Sequence, residues 1–247
     1  MNRFFLNPDQ IKTNEVIFPP DIAHQIRHVL RMKDGERAAV LDNHGHIFIV
    51  AVKLYPDHDR VSGEILSIRD VETEPETRVS LCFGLTGREK TEWILQKGTE
   101  VGVSSFYPFV SSRTLVQSIS LSAKKQARWE KIIREAAEQS NRGHLPILHP
   151  PAYFEACLDL VEQAHQLCLI AWEKAEAGHV DLDSLVRQFT GGSIALFIGP
   201  EGGFSEDEIE SADALGYQAV SLGKRILRME TAAIIFPAVV LHAIGES

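Results

Sequence analysis

"SIALFIGPEGGFSEDEIESA" (Ser193–Ala212) decides the fold. Ile194 to Ile198 is a continuous apolar run, and such a run ending in turn chemistry predicts a buried strand. Gly199-Pro200-Glu201-Gly202-Gly203 supplies the turn. Ser205 followed by Glu208 is a capping box that opens a helix, and Gly216 suits its end. Strand, glycine turn and helix are the outline of a nucleotide-binding turn. Glu201 sits in its middle, however, where a phosphate cradle presents only backbone N–H groups. A ligand with a positive centre and no phosphate tolerates that charge.

The same texture extends backwards and forwards. "RVSLCFGL", "SFYPFV", "QLCLIAW" and "QAVSLG" read as further strands. "REKTEWILQKGTEVGV", "SAKKQARWEKIIREAAEQSNR", "YFEACLDLVEQA" and "METAAIIFPAVVLHAIG" read as helices, the second burying Ile132, Ile133, Ala136 and Ala137. Strands alternating with helices give an α/β fold with a mostly parallel sheet covered on both faces. The first ~70 residues differ: "AAVLDNHGHIFIVAVKLY" is two strands around the turn Asp42–Gly45, and "RVSGEILSIRDV" is a third. One helix interrupts, "DIAHQIRHVLRM", with Asp21 as expected N-cap and Ile22, Ile26, Val29 and Leu30 along one side. A small β-barrel domain over residues 1–72 and a larger α/β domain over 73–247 are expected, joined in the acidic, proline-containing stretch Arg69 to Arg78.

The bulk numbers exclude little beyond membranes. A chain of 247 residues, 44% hydrophobic and 24% charged, has an ordinary globular composition. No apolar run approaches the ~20 residues of a membrane span. "MNRFFLNPDQ" lacks a secretion signal, and Cys82, Cys157 and Cys168 form no C-x-x-C pair, so a reduced cytoplasmic protein is expected. The net charge of −9 argues mildly against a nucleic-acid partner, but Ala123 to Arg142 carries six Lys/Arg against three Glu.

Dinucleotide, P-loop and serine-hydrolase signatures are missing. His24 and His28 lack a third ligand at matching spacing, so no metal is expected. What remains is a second strand-end loop, "SLGKRILRMETAA" (Ser221–Ala233). Gly223 permits a tight turn, Lys224, Arg225 and Arg228 interleave with Ile226 and Leu227, and Glu230-Thr231 enters a helix. Ligands of open parallel sheets sit at the carboxyl ends of strands. Two such loops together point to a pocket for a flat, partly apolar ligand, and S-adenosylmethionine fits: an adenine to bury, a ribose to hydrogen-bond and a sulfonium cation.

"IGPEGGFSEDE" and "LGKRILRMETA" resemble the signature segments of the bacterial family (RsmE) that methylates N3 of uridine 1498 in 16S ribosomal RNA, a branch of the SPOUT methyltransferases. "RFF", "HVLRMKDGE", "LQKGTEVGV", "SSRT" and "EAAEQSNR" fall in the family's order, so the resemblance covers nearly the whole chain. Two positions depart from it: Ser112 stands where a Glu is common, and Met229 where Thr or Ala is. The resemblance implies a PUA-like barrel that holds RNA, a SPOUT domain with a C-terminal trefoil knot, and a homodimer acting on 16S rRNA or the small ribosomal subunit. The expected cofactor pocket comprises Ala171, Gly199, Pro200, Glu201, Gly202, Gly203, Leu222, Gly223, Ile226 and Leu227. Glu201 either faces the ligand or caps the next helix. Arg142 and Arg228 are expected to stabilise a uracil anion; Glu230 is either the base or a helix-start acid. Arg31, Lys97, Arg113, Lys124, Lys125 and Arg225 are expected to clamp RNA. A ribose 2′-O-methyltransferase of the same fold and a non-catalytic RNA-binding module of ribosome assembly are the alternatives.

Overall fold

The structure, a computed structural model, describes residues 1–56, 60–175 and 182–246. The chain clusters into two units, Met1–Glu74 with Ala137–Leu145, and Pro75–Ala136 with Pro146–Ser247.

The first unit is a sheet of β1 (Asn2–Phe5), β2 (Glu15–Ile17), β3 (Arg37–Leu41), β4 (His46–Leu54) and β5 (Val61–Asp70). Its order is β1-β3-β4-β5-β2, with β1 parallel to β3 and the other pairs antiparallel. The turn between β3 and β4 closes on the Asp42 carboxylate, which accepts the N–H groups of His44 and His46 at 2.7 and 3.1 Å. Phe4, Val16, Phe18, Ile26, Val40, Val50 and Val61 fill the core beneath the sheet.

The helix of this unit departs from expectation in two ways. It starts at Pro20, so α1 (Pro20–His24) has Pro19 rather than Asp21 at its N-cap. Proline at the first helical position needs no N–H there and arrives with helical φ. The turn then widens: Gln25–Val29 is π-helical, and the Leu30 N–H donates to the Gln25 carbonyl at 2.9 Å. The extra residue in that turn rotates the residues after it about the helix axis. Ile22, Ala23 and Ile26 remain buried, whereas Val29 is 66% exposed and Leu30 36%.

The second unit contains β6 (Arg78–Gly84), α2 (Arg88–Val101), β7 (Ser105–Val110), α3 (Ala123–Gln139, in this unit to Ala136), β8 (Ile147–Leu148), β9 (Ala152–Tyr153) and α4 (Phe154–Glu162). Its remaining elements are β10 (Leu167–Ala171), α5 (Leu182–Arg187), β11 (Ser193–Ile198), α6 (Glu206–Ala214), β12 (Gln218–Val220) and α7 (Met229–Ala243). Its strands run β12-β10-β11-β6-β7-β8, with β9 also on β7, and every pairing is parallel.

Period-two alternation explains why the β11 sequence is apolar throughout. Ile194, Leu196 and Ile198 face a core shared with Ile94 and Leu95 of α2, Trp129 and Ile133 of α3, and Phe236 and Val240 of α7. Ala195 and Phe197 face the opposite core, with Phe154, Leu158 and Val161 of α4 and Ile209 and Ala212 of α6. Each fully buried Leu, Ile, Val or Phe among them contributes roughly 1.5–3 kcal/mol of transfer free energy. On α3, Trp129 joins Ile133 and Ala136 on the buried side, while Ile132 is only partly covered.

The capping box forms as expected. Ser205 Oγ accepts the Glu208 N–H at 3.2 Å, and Glu208 Oε2 accepts the Ser205 N–H at 2.9 Å. Glu208, only 6% exposed, also accepts the Ser112 N–H at 2.8 Å. A carboxylate thus reaches Ser112 from another element.

Candidate functional site

Parallel pairing delivers every strand's C-terminal end to one rim of the sheet. At that rim, where β12, β10 and β11 lie side by side, the chain encloses a cavity of about 520 Å³. All ten residues expected at a cofactor line it: Ala171 from β10, Gly199, Pro200, Glu201, Gly202 and Gly203 after β11, and Leu222, Gly223, Ile226 and Leu227 after β12. The first turn closes through a Gly203 N–H to Pro200 carbonyl bond of 2.9 Å. Gly203 has φ +68° and Gly223 φ +111°, so both bends depend on glycine; a side chain in the left-handed region costs roughly 1–2 kcal/mol.

Glu201 does not cap α6, whose N-terminus is closed by Ser205 and Glu208. Its carboxylate instead accepts from Thr86 Oγ1, in the loop after β6, and from Lys90 Nζ at 3.0 Å. Burial opposes the charge on Glu201, but Thr86, its own backbone N–H and Lys90 outweigh that and hold its pKa below the usual carboxylate range. Conversely, the hydrogen bond to Glu201 is the main reason the Lys90 pKa is raised, against a smaller opposing effect of burial. Lys90 Nζ also lies 3.6 Å from Glu230 Oε2. Two buried polar atoms of pocket-lining residues have no hydrogen-bond partner among the described residues: Trp172 Nε1 and Glu230 Oε2. Trp129 Nε1 and Gln218 Oε1 are likewise unmet outside the cavity, so it is the position of these two at the cavity that makes them candidates for a ligand's polar groups. A lining of apolar and charged side chains, with carboxylates on two walls and an unused donor and acceptor, fits a nucleoside that carries a cation.

Arg228, the residue before α7, and Arg225 both line the cavity and are exposed. The remaining expected residues do other things as well. Arg113 Nη1 donates to the carbonyls of Gly202 and Phe204 at 3.2 and 3.0 Å, which steadies the glycine turn. Lys97 pairs with Glu100 at 2.8 Å, and Lys125 Nζ sits 4.8 Å from the centre of the Trp129 ring. Lys124 is exposed on α3, and Arg31, in the first unit, is exposed with φ 52°. Arg142 also belongs to the first unit and is 4% exposed. Its Nε and Nη2 donate to Glu74 at 2.8–3.1 Å, and the N–H groups of Gly143 and His144 donate to the same carboxylate at 2.6 and 3.3 Å.

The sequence reading missed Thr86, Lys90, Trp172 and Glu173. Lys90, Trp172 and Glu173 line the cavity, and Thr86 holds Glu201. The strand-end rule that found the loops after β11 and β12 applies equally after β6 and β10, and its use there would have found Thr86, Trp172 and Glu173, though not Lys90 inside α2.

Comparison with known proteins agrees with this geometry. Residues 73–241 match a family model described as an RNA methyltransferase domain. The chain is 33% identical to ribosomal RNA small subunit methyltransferase E of Mesomycoplasma hyopneumoniae over 95% of its length and 96% of that protein. It is also 33% identical to the Bacillus subtilis protein of that name, covering 85% of this chain and 83% of that one. Among solved structures, a ribosomal RNA small subunit methyltransferase E from Neisseria gonorrhoeae bound to S-adenosyl methionine superposes with a TM-score of 0.86 at 29% identity, covering 98% of this chain and 97% of that one. A structure from Legionella pneumophila in complex with the same cofactor gives 0.85 at 29% identity, covering 98% and 97%.

Proposed function

The chain belongs to the RNA methyltransferase family, in its ribosomal RNA small subunit methyltransferase E branch, and from that premise we propose that it methylates N3 of uridine 1498 in 16S ribosomal RNA. The methyl donor is S-adenosylmethionine. One observation carries this reading: both glycine loops converge on a single cavity that holds carboxylates and no phosphate-loop signature.

When bound, the donor supplies an electrophilic methyl group. The chain's residues provide the rest. The bends at Gly203 and Gly223 let backbone come close to a nucleoside, and Ala171, Leu222, Ile226 and Leu227 shield it from water. Trp172 Nε1 and the pocket carboxylates are available to its polar groups. Uracil N3 carries a proton, so the base must be unstacked and deprotonated to act as nucleophile. We assign Glu230 Oε2, which has no partner within hydrogen-bond distance and only the Lys90 ammonium beside it at 3.6 Å, to that proton, and Arg228 to the negative charge that develops on the uracil oxygens. Arg142, with its guanidinium on Glu74, we assign to holding the first unit together.

In the same reading, residues 1–72 act as a PUA-like barrel that holds RNA, and residues 73–247 as a SPOUT domain with a trefoil knot. The enzyme works as a cytoplasmic homodimer, and Arg31, Lys97, Arg113, Lys124, Lys125 and Arg225 contact RNA. No helix among the described residues is long and apolar enough to cross a membrane.

The test is methyl transfer to small subunits from a strain lacking the enzyme, with mass mapping of the product. A methylated base at uridine 1498 is expected. Methylated ribose, or no transfer, overturns the reading.

A further inference from the structure

A cation in the first turn of a helix works against the helix dipole, which favours acids there. Lys90 is the third residue of α2, so its position is not explained by helix stability. What it reaches explains it. Its Nζ lies 3.0 Å from Glu201, on the turn after β11, and 3.6 Å from Glu230, in the first turn of α7. Three segments distant in sequence thus meet at one ammonium group. Among the described residues no other cation comes within 4.0 Å of either carboxylate, although Lys224, Arg225 and Arg228 line the same cavity. Lys90 remains 41% exposed, so it neutralises the two acids only in part.

The charge of this cavity matters because the methyl donor and its product differ by one charge at sulfur. The donor is a sulfonium; the product, S-adenosylhomocysteine, is an uncharged thioether. A nearby fixed cation disfavours the first relative to the second, and a nearby carboxylate does the reverse.

We propose that Lys90 is a positioning residue of the donor pocket: by bridging Glu201 and Glu230 it sets how strongly the cavity prefers the sulfonium donor over the thioether product. The proposal rests on the reading of this cavity as the S-adenosylmethionine site. Lys90 draws the β11 turn and the start of α7 together, and it offsets the charge of the two carboxylates beside it.

The experiment is calorimetric titration of the full-length protein with S-adenosylmethionine and, separately, S-adenosylhomocysteine. Wild type is compared with Lys90→Met, Lys90→Arg and Glu201→Gln. Lys90→Met should raise the ratio of donor to product affinity roughly three- to tenfold, the scale of one unit charge a few ångströms away in a half-solvated site. Lys90→Arg should return the ratio to within about twofold of wild type, since the charge is kept. Glu201→Gln should move the ratio the opposite way. Opposite signs for the two charge removals are the signature that a purely structural role would not produce. An unchanged ratio in Lys90→Met, or shifts of the same sign in Lys90→Met and Glu201→Gln, overturns the proposal. If Lys90→Met does not fold, Glu201→Gln decides: an unchanged ratio there sinks it. Failure of wild type to bind either compound refutes the pocket reading itself.

Discussion

Glu74 of the first unit and Glu230 of the second are both largely shielded carboxylates, 19% and 11% exposed, yet they are treated in opposite ways. Glu74 accepts from Arg142 and from two successive backbone N–H groups. Glu230 has one oxygen with no donor in hydrogen-bond range, and its nearest cation stands 3.6 Å away. An acid whose acceptor sites are filled by its own chain serves stability. An acid left short in a cavity is free to meet something that arrives later, the role proposed above for Glu230.

The contrast is sharpest for the variants expected to matter most. Arg228→Ala should lower kcat for methyl transfer by roughly 10²–10³-fold, as for loss of one donor to a developing oxyanion. Because Arg228 is exposed and its side chain caps nothing, its melting midpoint should stay near wild type. Turnover close to wild type would remove Arg228 from the chemistry. Glu74→Gln should do the reverse, costing about 2–4 kcal/mol in denaturant unfolding while donor affinity is retained, because it removes the carboxylate charge facing the buried Arg142.

That penalty should depend on pH. Burial raises the Glu74 pKa, but Arg142, Gly143 and His144 outweigh it, so the folded value lies below the ordinary 4.5. Its stabilisation is therefore complete above about 4.5 and fades as pH falls through the lower folded value. The gap between wild type and Glu74→Gln should be widest near neutrality and close in acid; a gap constant with pH would show that charge is not its source.

Smaller effects refine the comparison. Ser205→Ala removes one half of the α6 capping box and should cost about 1 kcal/mol in unfolding. Trp172→Phe deletes a donor that the protein itself leaves unused, so stability should hardly change. Donor affinity in a titration should fall about two- to fivefold, the worth of one modest hydrogen bond. A stability loss with unchanged binding would place Trp172 with Glu74 rather than with Glu230.

Sequence carried the second unit's sheet well because its information there is local. The Ile194–Ile198 run, the glycine bends and the Ser205–Glu208 box each lie within a few residues, and each formed where the pattern placed it. The π turn at Gln25–Val29 broke the helical period, and so two residues expected inside, Val29 and Leu30, point outward. Trp129 was passed over because it sits between charged neighbours, and only the register of α3 turns it inward. The inventory around Glu201 was harder still. Thr86 and Lys90 lie 115 and 111 residues from it in sequence, and no periodicity connects them. The clustering of residues 137–145 with the first 74 rests on contacts of the same kind, such as Arg142 to Glu74 across 68 residues.

A sheet whose strands all point one way gathers its chemistry on one edge and leaves the other edge to plain returns of the chain. Thr190, exposed just before β11, sits on that quiet edge. The native thiols Cys82, Cys157 and Cys168 are all buried. A cysteine installed at Thr190 would thus accept a fluorophore or a surface tether in a single defined orientation, with the business end of the molecule facing away from the attachment.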